Sequence, residues 1–188
     1  LNQYGKEDRP FFLYVAYTAP HFPIQAWPED IAKYRGKYKI GWDAIRKQRY
    51  ERLIESGLIN KQCKLSTRDS HVQNWDDVGD KNSRDLEMAV YAAMIDRMDQ
   101  GIGRIMAKVR QLGIEDNTLV LFLSDNGSCA EDYQAFNTTA PEIPPGSMES
   151  YRTLGVSWAN ASNTPFGKYK WWNHEGGIAT PLIAYWPR

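Results

Sequence analysis

Three short apolar runs, set far apart in the chain, limit what it can fold into. They are Pro10-Phe11-Phe12-Leu13-Tyr14-Val15-Ala16-Tyr17, Thr118-Leu119-Val120-Leu121-Phe122-Leu123-Ser124, and the stretch from Ile178 to Trp186. The first two are near-continuous rather than alternating. That is the pattern of strands buried on both faces, as in parallel sheets. Helical segments separate them, so the predicted class is α/β, a mostly parallel sheet flanked by helices.

The clearest helix is predicted from Ser83 to Leu112. Leu86, Val90, Met94, Met98, Ile102, Ile105, Val109 and Leu112 recur at spacings of four or three, which makes one amphipathic stripe. Ser83 is read as its cap and Gly113 as its stop. Four of the five methionines fall here and read as core fillers. Gly101 and Gly103 each cost about 1 kcal/mol relative to Ala in a helix, so close packing is the expected reason for them. A short helix is predicted near Pro28, and a charged one from Trp42 to Ser56 closed by Gly57. Two stretches read as long excursions: polar, unpatterned Asn60–Asn82, and Ser128–Pro165 with prolines at 141, 144 and 145.

The 188 residues fit one domain with a sizeable core. The 23 Lys and Arg balance the 23 Asp and Glu. A broad nucleic-acid surface needs a basic excess, so no nucleic-acid partner is expected. No apolar run approaches the roughly 18 residues of a membrane span, and no membrane partner is expected. No signal peptide is recognisable within the chain. Cys63 and Cys129 read as unbridged and inert. Leu1 and the end at Trp186-Pro187-Arg188 suggest a piece of a longer protein.

Ligands of open α/β sheets collect beyond the carboxyl ends of strands. His21 lies four residues past the first apolar run, and Asp125-Asn126 lie directly past the second. Asp125 and Asn126 offer hard oxygens suited to Ca²⁺ or Mg²⁺, although Asp-Asn-Gly also reads as an ordinary turn. His21, beside prolines, reads on its own more readily as a structural residue than a catalytic one. A third cluster is Lys168-Tyr169-Lys170-Trp171-Trp172-Asn173-His174-Glu175-Gly176-Gly177. Its Lys, His and Glu around a glycine turn suit an anion clamp or a solvated surface turn.

Taken together, Thr18-Ala19-Pro20-His21-Phe22-Pro23, Leu123-Ser124-Asp125-Asn126-Gly127 and Lys170-Trp171-Trp172-Asn173-His174-Glu175-Gly176-Gly177 resemble three signatures of the sulfatase family, in the family's order. Tyr91–Asp99 is similar to the family's long helix, and Trp158–Phe166 to a stretch of its arylsulfatase-like members. The resemblance implies a partial alkaline-phosphatase-like fold and hydrolysis of sulfate esters with a formylglycine nucleophile. It also implies a divalent cation, usually Ca²⁺, with Asp125 and Asn126 among its ligands. Lys170 matches the lysine that contacts the sulfate, and His21 a general acid for the leaving alcohol. His174 matches no catalytic position and reads as a substrate contact that shapes the pocket. The implied partner is a sulfated small molecule or sulfated glycan. The implied location is periplasmic or secreted, or lysosomal in a eukaryote.

The departures are equally specific. The family's Cys-or-Ser-x-Pro-x-Arg motif is absent: Lys-Leu-Ser-Thr follows Cys63 and Ala-Glu-Asp-Tyr follows Cys129. The paired aspartates that complete the cation site are absent, as are an N-terminal Lys and His. Residues 1–188 therefore read as the central part of a sulfatase catalytic domain, expected to be inactive alone and to bind a cation weakly. A truncated sheet exposes an edge and invites self-association. Two other readings stay open: a phosphodiesterase or phosphonate hydrolase of the same superfamily, and a non-catalytic glycan-binding homologue. The sequons at Asn126, Asn137 and Asn160 read as chance.

Overall fold

The structure, a computed structural model, describes residues 7, 9–131 and 142–188. Helix α1 is Pro28–Ala32, with Pro28 in the first turn where a missing N–H does no harm. Helix α2 is Trp42–Glu55 and α3 is Lys81–Gln111. Strand β1 is Val120–Leu123, α4 is Gly155–Ser162, α5 is Glu175–Ile178 and β2 is Leu182–Tyr185.

The α3 helix keeps the predicted span within two residues at either end. Its cap differs. Asp80, not Ser83, is the N-cap, and its carboxylate accepts the Ser83 N–H at 3.0 Å. Its N-terminal half is packed on both sides. On one side Ala89, Val90, Ala93 and Met94 bury against Ile24 and Ile31. On the other, Met88 and Tyr91 pack against a cluster of Trp42, Val72, Trp75, Val78, Leu154 and Trp158. Two buried carboxylates add anchors. Buried Asp30 accepts from Arg97 Nε at 2.6 Å and from Lys33 Nζ at 2.8 Å, and these partners hold its carboxyl below the usual range. Asp85, 1% exposed, accepts the backbone N–H groups of Gly36 and Tyr38 at 2.7 and 2.8 Å. Gly101 is buried, and a Cβ there would collide with the Tyr17 hydroxyl. At exposed Gly103 nothing lies near. Close packing therefore explains the first glycine and not the second.

Several expectations need correction. Among the described residues the sheet has two strands, β1 and β2, and they are antiparallel, with Val120 opposite Tyr185 and Leu123 opposite Leu182; the expected mostly parallel sheet is not seen there. A continuous apolar run signals burial, but it carries no information on strand direction. The run Pro10–Tyr17 is not a strand among the described residues, because no backbone ladder reaches it, and Phe12 is 92% exposed. Strands β1 and β2 are also largely exposed.

Neither excursion is merely surface. The first contributes Val72, Trp75 and Val78 to the core, with a single helical turn at Trp75–Asp77. The second contains α4, whose Trp158 is 1% exposed. Polar spacing hid three isolated apolar anchors in the first, and neighbouring prolines hid eight helical residues in the second. Asn137 lies outside the described residues. Asn160 is 2% exposed, so no glycan fits there without unfolding. Both cysteines are free. Burial raises the Cys129 thiol, in keeping with an inert role.

Candidate functional site

The three motif segments converge at one end of β1. The chain leaves β1 through Ser124 and enters Asp125-Asn126-Gly127-Ser128. This loop is fastened by backbone contacts to the segment before β2. Gly127 N–H donates to Gly177 O at 3.0 Å, and Lys170 N–H donates to Ser128 O at 3.2 Å. The Thr180 hydroxyl donates to Ser124 O at 2.6 Å.

Glycines make this approach possible. A Cβ on Gly127 would overlap the Gly176 carbonyl. One on Gly176 would overlap the carbonyls of Lys168 and Gly167, and one on Gly177 would overlap that of Trp172. Each position needs glycine for close backbone contact, not for a left-handed torsion. Lys168 and Trp171 flank the lysine of interest at positive φ, 68° and 82°. Non-glycine residues there signal a backbone held by its surroundings.

The Thr18–Pro23 turn arrives from the opposite side. His21 N–H donates to Thr18 O at 2.9 Å, and its ring Nδ1 lies 2.8 Å from Phe22 O. Its Nε2 lies 3.2 Å from Lys170 Nζ. A carbonyl only accepts and an ammonium only donates, so the neutral ring is assigned Nδ1–H, with the Nε2 lone pair facing Lys170. His21, Asp125, Asn126, Ser128, Cys129 and Lys170 all line one open cleft.

His174 does not line it. This exposed residue caps α5, its carbonyl accepting from Gly177 and Ile178, and its ring lies 6.1 Å from that of Trp172. A Ca²⁺ ion takes six to eight oxygen ligands. Asp125 and Asn126 supply the right donor chemistry for a share of such a shell. Among the described residues there is no group of three His, Cys, Asp or Glu that could hold a metal. The donor set fits part of a cation site and does not close one.

Two supports were not legible from the motifs. Asp69, in the first excursion, accepts from the His71 N–H at 3.0 Å and pairs with the His71 ring at 2.9 Å and Lys168 Nζ at 3.1 Å. Its side chain is 6% exposed. Burial opposes its ionisation, but the His71 and Lys168 contacts outweigh that and hold its carboxyl at about 2. Lys168 also sits over the Trp172 ring, 4.9 Å from its centre. The second support is Asn163, just past α4, which bonds three backbone segments at once. Acid and amide residues in irregular segments carry no periodic signal. Among the described residues, no helix is long and apolar enough to cross a membrane.

The sulfatase family model matches residues 1–188. The chain is 33% identical to an uncharacterised sulfatase of Schizosaccharomyces pombe over 97% of its own length and 35% of that protein's. It is 33% identical to an arylsulfatase of Klebsiella aerogenes over 96% of its length and 41% of that protein's. The chain thus spans about two-fifths or less of these relatives. All of it also superposes on a quarter of the crystal structure of Ps i-CgsB in complex with k-i-k-neocarrahexaose, with a TM-score of 0.54 and 24% identity, a likeness of fold. Motif order, converging geometry and family match lead to one conclusion: the chain belongs to the sulfatase family.

Proposed function

We propose that this chain is the central part of a sulfuric ester hydrolase and carries the half of its active site that holds the sulfate and protonates the leaving group. One observation carries the reading. Lys170 Nζ and His21 Nε2 lie 3.2 Å apart on a cleft that Asp125 and Asn126 also line.

A sulfate ester entering the cleft exchanges the Lys170–His21 contact for oxygen contacts to each. Lys170 donates to a non-bridging oxygen and offsets the charge that develops on the transferring group. His21, held in orientation by Phe22 O, takes up a proton from solvent at Nε2 once Lys170 has turned to the sulfate, and delivers that proton to the bridging oxygen as the alcohol departs. Asp125 and Asn126 contribute oxygen ligands toward a divalent cation, and that cation would supply Lewis-acid charge stabilisation. His174 stands outside the cleft lining and is assigned no step. The chain lacks a formylglycine motif, so the nucleophile comes from outside these residues and no attack step is assigned to them. The substrate class is a sulfated small molecule or sulfated glycan, in keeping with the arylsulfatase relative.

The purified 188-residue chain tests this in two ways. It should not turn over 4-nitrophenyl sulfate. Inorganic sulfate should shift the His21 ring resonances, and Lys170→Ala should abolish the response. Turnover by the chain alone, or a sulfate response that survives Lys170→Ala, would refute the division of roles.

A further inference from the structure

We propose that Asn163 is a positioning residue that locks the Asp125-Asn126 loop to the Lys170 segment, so that the two sides of the cleft form as one unit. Its side-chain amide makes three hydrogen bonds to backbone groups. Oδ1 accepts the Ser128 N–H at 2.9 Å. Nδ2 donates to Lys168 O at 3.0 Å and to Gly176 O at 2.9 Å. One N–H and two carbonyls leave only one orientation of the amide that satisfies all three.

The partners are placed for control of the cleft. Ser128 follows Asp125-Asn126-Gly127 directly and accepts the Lys170 N–H through its own carbonyl. Lys168 stands two residues before Lys170 at φ 68°, so its carbonyl direction fixes how the chain enters Lys170. Gly176 is the residue whose carbonyl abuts Gly127. The two segments also meet directly, through Gly127 N–H to Gly177 O, Lys170 N–H to Ser128 O and the Thr180 hydroxyl to Ser124 O. The glycines make that approach permissive, and Asn163 adds a clamp on both segments from a third element. Asn163 is rooted on the end of α4, where its N–H donates to Ala159 O at 3.0 Å. The buried helix thus serves as the datum for both loops.

The Asn163 amide has a role beyond local stability. Loss of the amide should let the Lys170 segment drift from His21, even in a folded chain. The consequence for anion binding rests on the reading of Lys170 and His21 given above, whereas the geometric coupling does not.

The test compares Asn163→Ala and Asn163→Asp with Val78→Ala, a core change outside the cleft lining that lowers stability by about 1 to 2 kcal/mol. Asn163→Asp keeps the Ser128 acceptor but faces the Lys168 and Gly176 carbonyls with an oxygen that cannot donate. Two quantities are read on the 188-residue chain at pH 8.5: the His21 ring ¹⁵N pattern of an Nδ1–H tautomer, and the Kd of inorganic sulfate from NMR titration. Both Asn163 variants should lose the tautomer pattern and raise Kd at least tenfold, with Val78→Ala leaving both unchanged. A folded Asn163→Ala chain that keeps both readouts overturns the proposal. Loss of both in Val78→Ala as well overturns it too, because the effect would then be general destabilisation. If wild type binds no sulfate, the proposed function fails and the tautomer pattern alone decides the role of Asn163. Should Asn163→Ala not fold, Asn163→Ser, which shortens the reach without adding charge, is read by the same criteria.

Discussion

His21 and Lys170 meet at 3.2 Å across 149 residues of sequence. Neither end of this contact belongs to a regular helix or strand. Each residue sits on a turn fixed by backbone hydrogen bonds, His21 by Thr18 and Lys170 by Ser128. In a longer protein that contains this chain and is active on sulfate esters, the two should separate by chemistry. Lys170→Ala should lower kcat/KM about 10²- to 10³-fold for all esters, because it removes charge stabilisation. His21→Ala should lower it about 10²- to 10⁴-fold for alkyl sulfates and far less for 4-nitrophenyl sulfate, whose leaving group needs little protonation. Equal losses on both substrates would exclude His21 as the acid.

Gly127→Ala should be the most disruptive small substitution in the cleft. The added methyl meets the Gly176 carbonyl, a backbone atom that cannot rotate away. The loop must shift, and the Gly127–Gly177 hydrogen bond is lost with it. Overpacking of this kind costs about 1 to 3 kcal/mol. Urea unfolding of Gly127→Ala against Gly103→Ala checks it. Nothing lies near a Cβ at Gly103, and a solvent-exposed helical Gly→Ala there should stabilise by up to about 1 kcal/mol.

The contrast between these glycines shows what could be read from the sequence. The α3 helix was legible because its stripe repeats over about seven turns, and a signal that long outweighs an error in the cap. The candidate site was legible only through motif order, since His21, Asp125 and Lys170 lie on turns whose composition also fits ordinary loops. Asn163 and Asp69 were illegible. Each acts by hydrogen bonds to distant backbone or charge, and nothing in their neighbours' spacing announces a partner. Strand direction failed for a related reason. Hydrophobicity reports burial, whereas direction depends on pairing, and the apolar runs are mostly exposed among the described residues.

That exposure predicts self-association. Leu121, Leu123, Leu182 and Ile183 are each more than half exposed on a two-stranded sheet, and such a pair is marginally stable alone. Uncovered edges template pairing with other chains. Sedimentation velocity of the 188-residue chain should show a concentration-dependent shift toward dimer or higher species, and Leu121→Lys should reduce it. A monomer at all concentrations would exclude this behaviour.

Trp158 is the keystone of the larger core cluster. Its ring packs edge-on to Trp42 with centres 5.4 Å apart and near Trp75 at 6.1 Å, and its Nε1–H donates to Arg84 O at 2.9 Å. Trp158→Ala should cost about 3 to 5 kcal/mol, which is enough to unfold a marginal domain. Trp158→Phe keeps most of the packing and forfeits the hydrogen bond, for about 1 kcal/mol plus a small void. Thermal melts should rank wild type above Trp158→Phe and both above Trp158→Ala. A Trp158→Ala chain with an unchanged melt would place the core elsewhere.

Asp69 gives the fold an acid-sensitive joint between the first excursion and the Lys168 segment. Its carboxyl is held at about 2 against an ordinary 3.8, so the folded state favours the carboxylate. A depressed carboxyl contributes stability that is complete above about pH 4 and is lost as pH falls toward 2. The shift corresponds to about 2 kcal/mol. The side chain is only 6% exposed, so solvent screening removes little of this. Asp69→Asn retains the shape and cannot ionise, and it should be less stable than wild type by about 2 kcal/mol at pH 6. The gap should close between pH 4 and pH 2, as the wild-type carboxylate takes up its proton and loses the Lys168 pairing. Urea unfolding of both chains at pH 6, 4, 3 and 2 measures it. A gap that stays constant over this range would mean that Asp69 acts by shape and hydrogen bonding alone, without its charge.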